Sequence, residues 1–97
     1  MYYCYILLSS KSHIFYFGSA KNLELRIRQH NTGEVKSTKS YIPWKLVFYS
    51  AFDTIKKAKD FELYLKTGSG KAFAYKRLLN SEALKKDLGR GVPKLGE

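Results

Sequence analysis

The sequence predicts a small α+β domain in which a three-stranded antiparallel sheet is flanked by helices, in the order β-β-α-β-α-α. A length of 97 residues fits one domain with a modest core. Three short segments rich in aromatic and β-branched residues are typical of strands, and two longer segments repeat apolar residues at helical spacing. We expect residues 1–80 to form this domain and residues 81–97 to form a basic turn and a flexible tail.

The first two strands are expected at the beginning of the chain. Residues 2–8 (Tyr-Tyr-Cys-Tyr-Ile-Leu-Leu) are apolar on both faces, as in a strand that is covered on both sides. A short polar link separates them from residues 13–17 (His-Ile-Phe-Tyr-Phe), which favours an antiparallel hairpin. Tyr5 and Tyr16 then lie on neighbouring strands, where either could also be an ordinary core aromatic. Gly18 follows, where we expect a tight turn or a close approach of another group.

The first helix is predicted between two capping residues. The Asn22 side chain can accept hydrogen bonds from the first turn, and Gly33 can end the helix in a left-handed conformation. Helical spacing places four side chains on one face: Leu23, Arg26, Ile27 and His30. A cation and an imidazole thus share the stripe that should face the core, which indicates a candidate site. The alternative for Arg26 is a solvated head group with its stem along apolar surface.

The second helix carries a carboxylate at an unusual position. After a polar loop at residues 32–42 and a third strand at residues 45–51, Thr54 is the expected N-cap. One stripe of the helix that follows contains Ile55, Ala58, Phe61, Glu62 and Leu65. A carboxylate amid apolar side chains is costly unless a cation, a metal or hydrogen bonds balance it. The alternative for Glu62 is a structural ion pair with an arginine, or a position at the edge of the stripe in contact with water.

A glycine-rich segment at residues 67–71 (Thr-Gly-Ser-Gly-Lys) superficially resembles a phosphate-binding P-loop. The motif fails, because Leu65 stands where it needs a glycine and Ala72 stands where it needs a hydroxyl residue. We therefore expect a turn between two helices, whose glycines let Lys71 approach a phosphate. A third helix is predicted over residues 71–79.

The strongest compositional feature is a formal net charge of +10. A small, strongly basic domain is typical of proteins that bind nucleic acid, and the aromatic residues interleaved with the cations favour this interpretation. The alternatives are that the charge serves solubility or that the domain binds an anionic membrane surface. However, no segment has the extended amphipathic pattern of a membrane-surface helix. The cations expected to contact nucleic acid are Lys21, Arg28, Lys36, Lys39, Lys66 and Lys71.

Composition also limits the other classes of function. No apolar run is long enough to span a bilayer, and the N-terminal residues lack a signal-peptide pattern, so we expect a cytoplasmic location. The single cysteine, Cys4, cannot form an internal disulfide. Because His13 and His30 are the only histidines, a structural zinc site is not expected. The pattern of residues gives no indication of the oligomeric state.

Taken together, these residues resemble the GIY-YIG nuclease family. The resemblance rests on residues 3–5 (Tyr-Cys-Tyr), residues 16–18 (Tyr-Phe-Gly), Arg26 and His30 in the first helix, and Glu62 in the second. Their order, their spacing and the predicted order of strands and helices agree with that family. The resemblance covers residues 1–79 and is closest to the small single-domain bacterial branch, related to the domain of the excision-repair incision subunit and to phage homing endonucleases.

The chain departs from the family pattern at several positions. Tyr3 replaces the usual first glycine, while Cys4 and Phe17 replace branched aliphatic residues. Ala20 stands where many members have a hydroxyl residue, and Asn80 is the candidate for the late asparagine of some members. These departures affect the expected activity more than the expected fold.

The resemblance implies metal-assisted hydrolysis of a phosphodiester bond. In that mechanism Glu62 is the sole protein ligand of one Mg²⁺ or Mn²⁺, Arg26 holds the phosphate, and Tyr5 or Tyr16 orients or deprotonates the attacking water. His30 would support a tyrosine or a phosphate. The expected substrate is DNA, in repair or in branched structures, and one site would cut one strand at a time. The alternative is a weak or inactive module that binds nucleic acid, with RNA as a further candidate substrate.

Overall fold

The sheet is organised around the apolar first strand, as the sequence predicts. In a computed structural model that describes residues 1–79, β1 (Tyr2–Ser9) lies between β2 (Phe15–Ala20) and β3 (Trp44–Phe52) and pairs antiparallel with both. Every residue of β1 from position 4 to position 9 is buried, because helices cover the strand on both faces. The predicted turn and tail at residues 81–97, and Asn80, lie outside the described residues.

The helices complete the predicted order of elements and confirm the fold class. They are α1 (Leu23–Thr32), α2 (Ile55–Leu65) and α3 (Gly68–Phe73), with a short 3-10 turn at Lys39–Tyr41 and a π-helical segment at Ala74–Leu78. None of the helices within residues 1–79 has the length and apolar character needed to cross a bilayer.

Alternation along β1 divides the core into two halves. Tyr5 and Leu7 face α1 and pack with Trp44, whereas Cys4 and Ile6 face the opposite side and pack with α2 and the segment after α3. The sheet therefore separates the helix that carries Arg26 and His30 from the helix that carries Glu62.

The predicted helix caps are confirmed. Asn22 Oδ1 accepts a hydrogen bond from the Leu25 amide at 3.0 Å, and Thr54 Oγ1 accepts one from the Lys57 amide at 3.2 Å. Gly33 has a φ of 85°, the left-handed conformation expected for the residue that ends a helix.

The predicted position of the second strand is wrong by a few residues. Residues 13 and 14 lie in the hairpin loop, where His13 has a φ of 59°. The strand instead continues to Ala20, which pairs with Tyr3, so Gly18 lies inside the strand and not in a turn. The hydrogen bonds of the sheet outweigh the turn preference of glycine, because they satisfy the backbone groups of both strands.

The turn predicted at residues 67–71 exists but lies earlier, at residues 66–67. α3 begins at Gly68, because Thr67 acts as its N-cap and accepts a hydrogen bond from the Gly70 amide at 3.0 Å. Gly70 is buried against the end of α2, where a Cβ atom would overlap the Tyr64 carbonyl oxygen and lie 2.8 Å from the Leu65 Cα. The glycine therefore serves the close packing of two helices.

Substitution of Gly70 by alanine should destabilise the domain strongly. We expect Gly70→Ala to lower the free energy of unfolding by about 3 kcal/mol, because one of the two helix backbones must move to admit the methyl group. Gly68→Ala is the matched control, since a Cβ atom there meets nothing within 4 Å. It should leave stability unchanged or raise it by up to about 1 kcal/mol. Urea denaturation of the two variants measures the difference, and equal midpoints would contradict the packing role.

Candidate active site

The Tyr5 phenol is the centre of the candidate site. Its side chain is only 1% exposed, and its hydroxyl lies 2.9 Å from Nε2 of His30, which is itself fully buried. The other ring nitrogen of His30, Nδ1, lies 2.8 Å from Thr38 Oγ1. Three buried polar groups from β1, α1 and the following loop are thus joined in one hydrogen-bonded chain.

The direction of this chain follows from its two ends. Arg26 carries only donors and acts to lower the pKa of Tyr5, so the phenol oxygen faces the guanidinium and its proton points to His30 Nε2. At the other end, Thr38 Oγ1 donates to the Val35 carbonyl at 3.4 Å and therefore accepts from Nδ1. This assignment gives a neutral His30 with its proton on Nδ1 and its acceptor nitrogen directed at Tyr5.

Gly18 makes room for the Tyr5 hydroxyl. It lies directly opposite Tyr5 on β2, and a Cβ atom at Gly18 would lie 2.5 Å from the Tyr5 hydroxyl oxygen. Position 18, in the second family motif, therefore requires glycine, because the Tyr5 side chain of the first motif occupies the space of a Cβ atom. Tyr16, which is partly exposed, borders the same space, with its ring centroid 4.9 Å from that of His30 and 6.2 Å from that of Tyr5.

Burial keeps both members of the central pair uncharged. Desolvation raises the pKa of Tyr5 to about 12, and the nearby Tyr16 and Glu62 act in the same direction. The Arg26 guanidinium opposes this through hydrogen bonding and charge. Desolvation, reinforced by the charge of Arg26, lowers the pKa of His30 to about 4. At neutral pH, Tyr5 therefore keeps its proton and His30 remains a neutral acceptor.

Arg26 lies one turn before His30 on α1. Its side chain is partly exposed, and Nη1 donates to Gln29 Oε1 at 3.1 Å. The positive charge of Arg26 acts to lower the pKa values of both Tyr5 and His30, so it reaches the buried pair. The guanidinium therefore joins the buried hydrogen-bonded chain to the surface.

Glu62 approaches from the opposite face of the sheet. Its side chain is 15% exposed and forms an ion pair with Lys66 at 2.6 Å, so its cationic partner is the lysine that follows α2 and not an arginine. Desolvation is the main cause that raises the pKa values of Cys4 and Tyr5, and the negative charge of Glu62 acts in the same direction. The structure thus gathers Tyr5, Tyr16, Arg26 and His30 on one face, and Glu62 acts on this group through its charge.

The expected nucleic-acid contacts are exposed cations in several elements. Lys21 precedes α1 and lies over the Tyr2 ring, with Nζ 5.9 Å from the ring centroid. Lys66 is engaged with Glu62. The other four expected contacts are exposed as well: Arg28 in α1, Lys36 in the loop, Lys39 in the 3-10 turn and Lys71 in α3.

The donor set suits a hard cation bound mainly through water. Within residues 1–79, no group of three or more His, Cys, Asp and Glu side chains is placed to hold a metal ion. Mg²⁺ usually keeps several waters and takes one or two carboxylates together with substrate phosphate oxygens. Glu62 alone fits that pattern, and Lys66, half exposed and flexible, can leave the carboxylate when a divalent ion competes.

Thr38 is a site residue that the sequence motifs do not single out. The structure buries it to 2% exposure against His30. The Trp44 indole donates to the Thr38 carbonyl at 3.0 Å and fixes the loop. No local pattern links Thr38 to His30, because the loop between them has no periodicity, so only the folded chain reveals the contact.

The buried His30 should make stability fall on acidification. Its pKa is 6.5 in an unfolded chain and about 4 when folded. Between these values the unfolded chain binds a proton that the folded protein excludes, so stability falls as pH drops and levels off below the folded value. The loss should approach about 3 kcal/mol at most. Urea denaturation across this range should show a weaker pH dependence for His30→Gln, and parallel curves would contradict the assignment.

Comparison with known proteins identifies the family of this chain. A family model of the GIY-YIG catalytic domain matches residues 1–76, so the chain belongs to the GIY-YIG family. It is 40% identical over 67 residues to a UPF0213 protein of Clostridium perfringens, which covers 68% of this chain and 71% of that protein. It is 41% identical over 69 residues to a UPF0213 protein of Staphylococcus saprophyticus, covering 70% of this chain and 83% of that protein. Membership in this family indicates a nuclease-like domain that binds nucleic acid.

Proposed function

We propose that this protein is a metal-dependent endonuclease that hydrolyses phosphodiester bonds in DNA. One observation carries the proposal: the buried Tyr5 hydroxyl lies against His30 Nε2 while the charges of Arg26 and Glu62 both act on it. Binding alone does not require a carboxylate, a guanidinium and a buried hydrogen-bonded chain that all act on the Tyr5 phenol. They suit the stabilisation of charge that develops on a phosphate during hydrolysis.

The two tyrosines have different roles in this proposal. Tyr5 keeps its proton, because its pKa is raised to about 12, and it positions the reacting groups through its hydrogen bond to His30. Tyr16 is the partly exposed tyrosine beside the same imidazole, and it orients or deprotonates the attacking water. His30 and Thr38 are positioning residues, since both His30 nitrogens are occupied within the protein.

Arg26 and Glu62 hold the phosphate and the metal in this proposal. The planar guanidinium of Arg26 binds the scissile phosphate in a two-pronged contact and opposes its added negative charge. Glu62 is the protein ligand for one Mg²⁺ or Mn²⁺. When bound there, the ion would supply Lewis-acid stabilisation of the phosphate and the leaving oxygen. Exposed lysines and Arg28 contact neighbouring phosphates and set the register of the strand without reading sequence.

The test is cleavage of labelled DNA by purified protein, with Tyr16→Phe as the decisive variant. We expect Mg²⁺ or Mn²⁺ to support nicking and EDTA to stop it. Tyr16→Phe should lower the rate by about a hundredfold, because general-base assistance is lost. Tyr64→Phe, which removes the hydroxyl of an exposed tyrosine on α2, should retain the rate. Cleavage that survives Tyr16→Phe unchanged would overturn the assigned role.

The second candidate function is a nucleic-acid-binding module that does not cut. The Glu62–Lys66 ion pair favours it, because a carboxylate satisfied by a neighbouring lysine needs no metal. Side-by-side assays on single-stranded, duplex and branched DNA and RNA separate the two candidates. Salt-dependent binding without cleavage on every substrate and with each metal would support the module and reject the nuclease.

A further inference from the structure

A groove of about 690 Å³ lies beside the candidate site. Its walls include Tyr3, Tyr49, Leu23 and Ile27, and its rim carries Lys21 and Glu24. We call this the Tyr3–Tyr49 groove. Its volume is within the range of sites that bind small organic groups. None of the four wall residues takes part in the hydrolysis described above.

The register of the sheet places the groove next to Tyr5. Tyr49 is the direct partner of Tyr5 across the β1–β3 ladder, so the two side chains share one face of the sheet. Tyr3 lies two residues before Tyr5 on that face. On the covering helix α1, Leu23 lies three residues before Arg26, on the same helical face. A strand whose phosphate is held by Arg26 would therefore have its adjoining nucleotide near this groove.

The aromatic wall suits a flat ring. Tyr3 and Tyr49 meet edge to face, with ring centroids 6.1 Å apart and an interplanar angle of 61°. Tyr49 is 54% exposed, so its ring in the groove wall is open to solvent. Nucleobases stack on such exposed aromatic rings in proteins that bind single strands, and the aliphatic side chains provide the remaining apolar surface.

The charges at the rim indicate which part of a nucleotide the groove accepts. Lys21 is exposed and can contact a phosphate at the edge. Glu24 would repel a phosphate inside the groove, but its carboxylate can accept hydrogen bonds from the amino group of a base. The Asn22 side chain is already engaged as the helix cap. The lining therefore suits a base within the groove and the backbone along its edge.

We propose that the Tyr3–Tyr49 groove binds an unpaired nucleobase next to the phosphate held by Arg26. The inference rests on the proposed function only in that the protein binds nucleic acid there. A base can enter the groove only when it is free of its duplex partner, so the groove gives the protein a preference for single-stranded or locally opened DNA. Glu24 adds a preference for cytosine over thymine, which lacks an exocyclic amino group.

Binding measured by fluorescence anisotropy in EDTA tests the stacking role without cleavage. With labelled oligodeoxycytidine, we expect Tyr49→Ala to weaken binding by about tenfold, because one stacking contact is lost. Tyr49→Phe should retain binding, since it keeps the ring. An abasic oligomer and a blunt duplex should bind wild type and Tyr49→Ala equally. If Tyr49→Ala loses the same affinity for all three probes, or loses affinity for none of them, the proposal is overturned.

A second comparison tests the role of Glu24. Wild type should bind oligodeoxycytidine more tightly than oligodeoxythymidine, and Glu24→Gln should reduce this discrimination, because an amide donates as well as accepts. Glu34→Gln, at an exposed loop carboxylate outside the groove, should retain it. Unchanged discrimination in Glu24→Gln would reject the base-reading role.

The outcomes separate this inference from the proposed nuclease activity. Base-dependent binding that requires Tyr49, in a protein that cuts nothing, would support the groove and reject the nuclease. Cleavage by a protein whose DNA binding does not depend on Tyr49 would support the nuclease and reject the groove. Analytical ultracentrifugation of wild type and Tyr49→Ala tests whether a second copy of the chain occupies the groove. A dimer that dissociates in Tyr49→Ala would overturn the proposal.

Discussion

Glu62→Gln should lower the rate of DNA cleavage by about a thousandfold. The substitution keeps the size of the side chain and removes the negative charge on which metal binding depends. Loss of metal-assisted charge stabilisation is worth several kcal/mol, and each 1.4 kcal/mol corresponds to tenfold in rate. Single-turnover nicking of supercoiled plasmid at saturating Mg²⁺ measures the effect. DNA binding in EDTA should be maintained or strengthened, because one negative charge near the phosphate is gone.

Asp60→Asn is the matched control for this experiment. Asp60 lies on the same helix, its side chain is 59% exposed, and it forms a comparable ion pair with Lys56 at 2.7 Å. Its substitution removes the same charge from α2 without touching the site, so the cleavage rate should stay within about twofold of wild type. Similar rates for Glu62→Gln and wild type would rule out Glu62 as the metal ligand.

Arg26→Lys should lower the cleavage rate by about a hundredfold or more. The variant keeps the positive charge, but an ammonium group cannot form the two parallel hydrogen bonds of a guanidinium with phosphate. Removal of one donor aimed at developing charge typically costs a factor of about 10²–10³ in rate. Substrate binding should change much less than turnover, because the long-range attraction persists. Comparison of KM with kcat on a labelled oligonucleotide measures this difference.

Arg77→Lys provides the control for Arg26→Lys. Arg77 is exposed in the π-helical segment on the other side of the sheet, and the same chemical change there should leave kcat unchanged. A loss of binding with unchanged kcat in Arg26→Lys would indicate that Arg26 only attracts the substrate. Thermal denaturation of both variants is needed as well, because Arg26 contacts Gln29 and influences the buried Tyr5.

Local sequence signals predicted the helices well and the strand boundaries less well. Asn22, Gly33 and Thr54 cap helices as expected, because capping depends on side chains within a few residues of the helix end. The second strand was misplaced because its extent depends on pairing with β1, a long-range contact. Gly70 was expected in a turn, yet it lies in a helix where the Tyr64 backbone approaches closely.

The site shows the same division between local and long-range information. Family motifs in the sequence identified the tyrosines, the arginine, the histidine and the carboxylate as candidates. The contacts among them required the structure: His30 joins Tyr5 to Thr38, and Glu62 is paired with Lys66. The roles of these residues in catalysis stay predictions that the variants described above test.

The sequence by itself determined the fold class, the caps of the helices and the family, because these depend on periodicity, on local hydrogen bonds and on a short set of spaced residues. Only the tertiary structure decided that Gly18 makes room for the Tyr5 hydroxyl, that His30 is buried and neutral, and that Tyr49 stands exposed beside the site. Each of these facts depends on the register between strands and on helix packing across the sheet. Such contacts join residues far apart in the chain, where no local pattern records them.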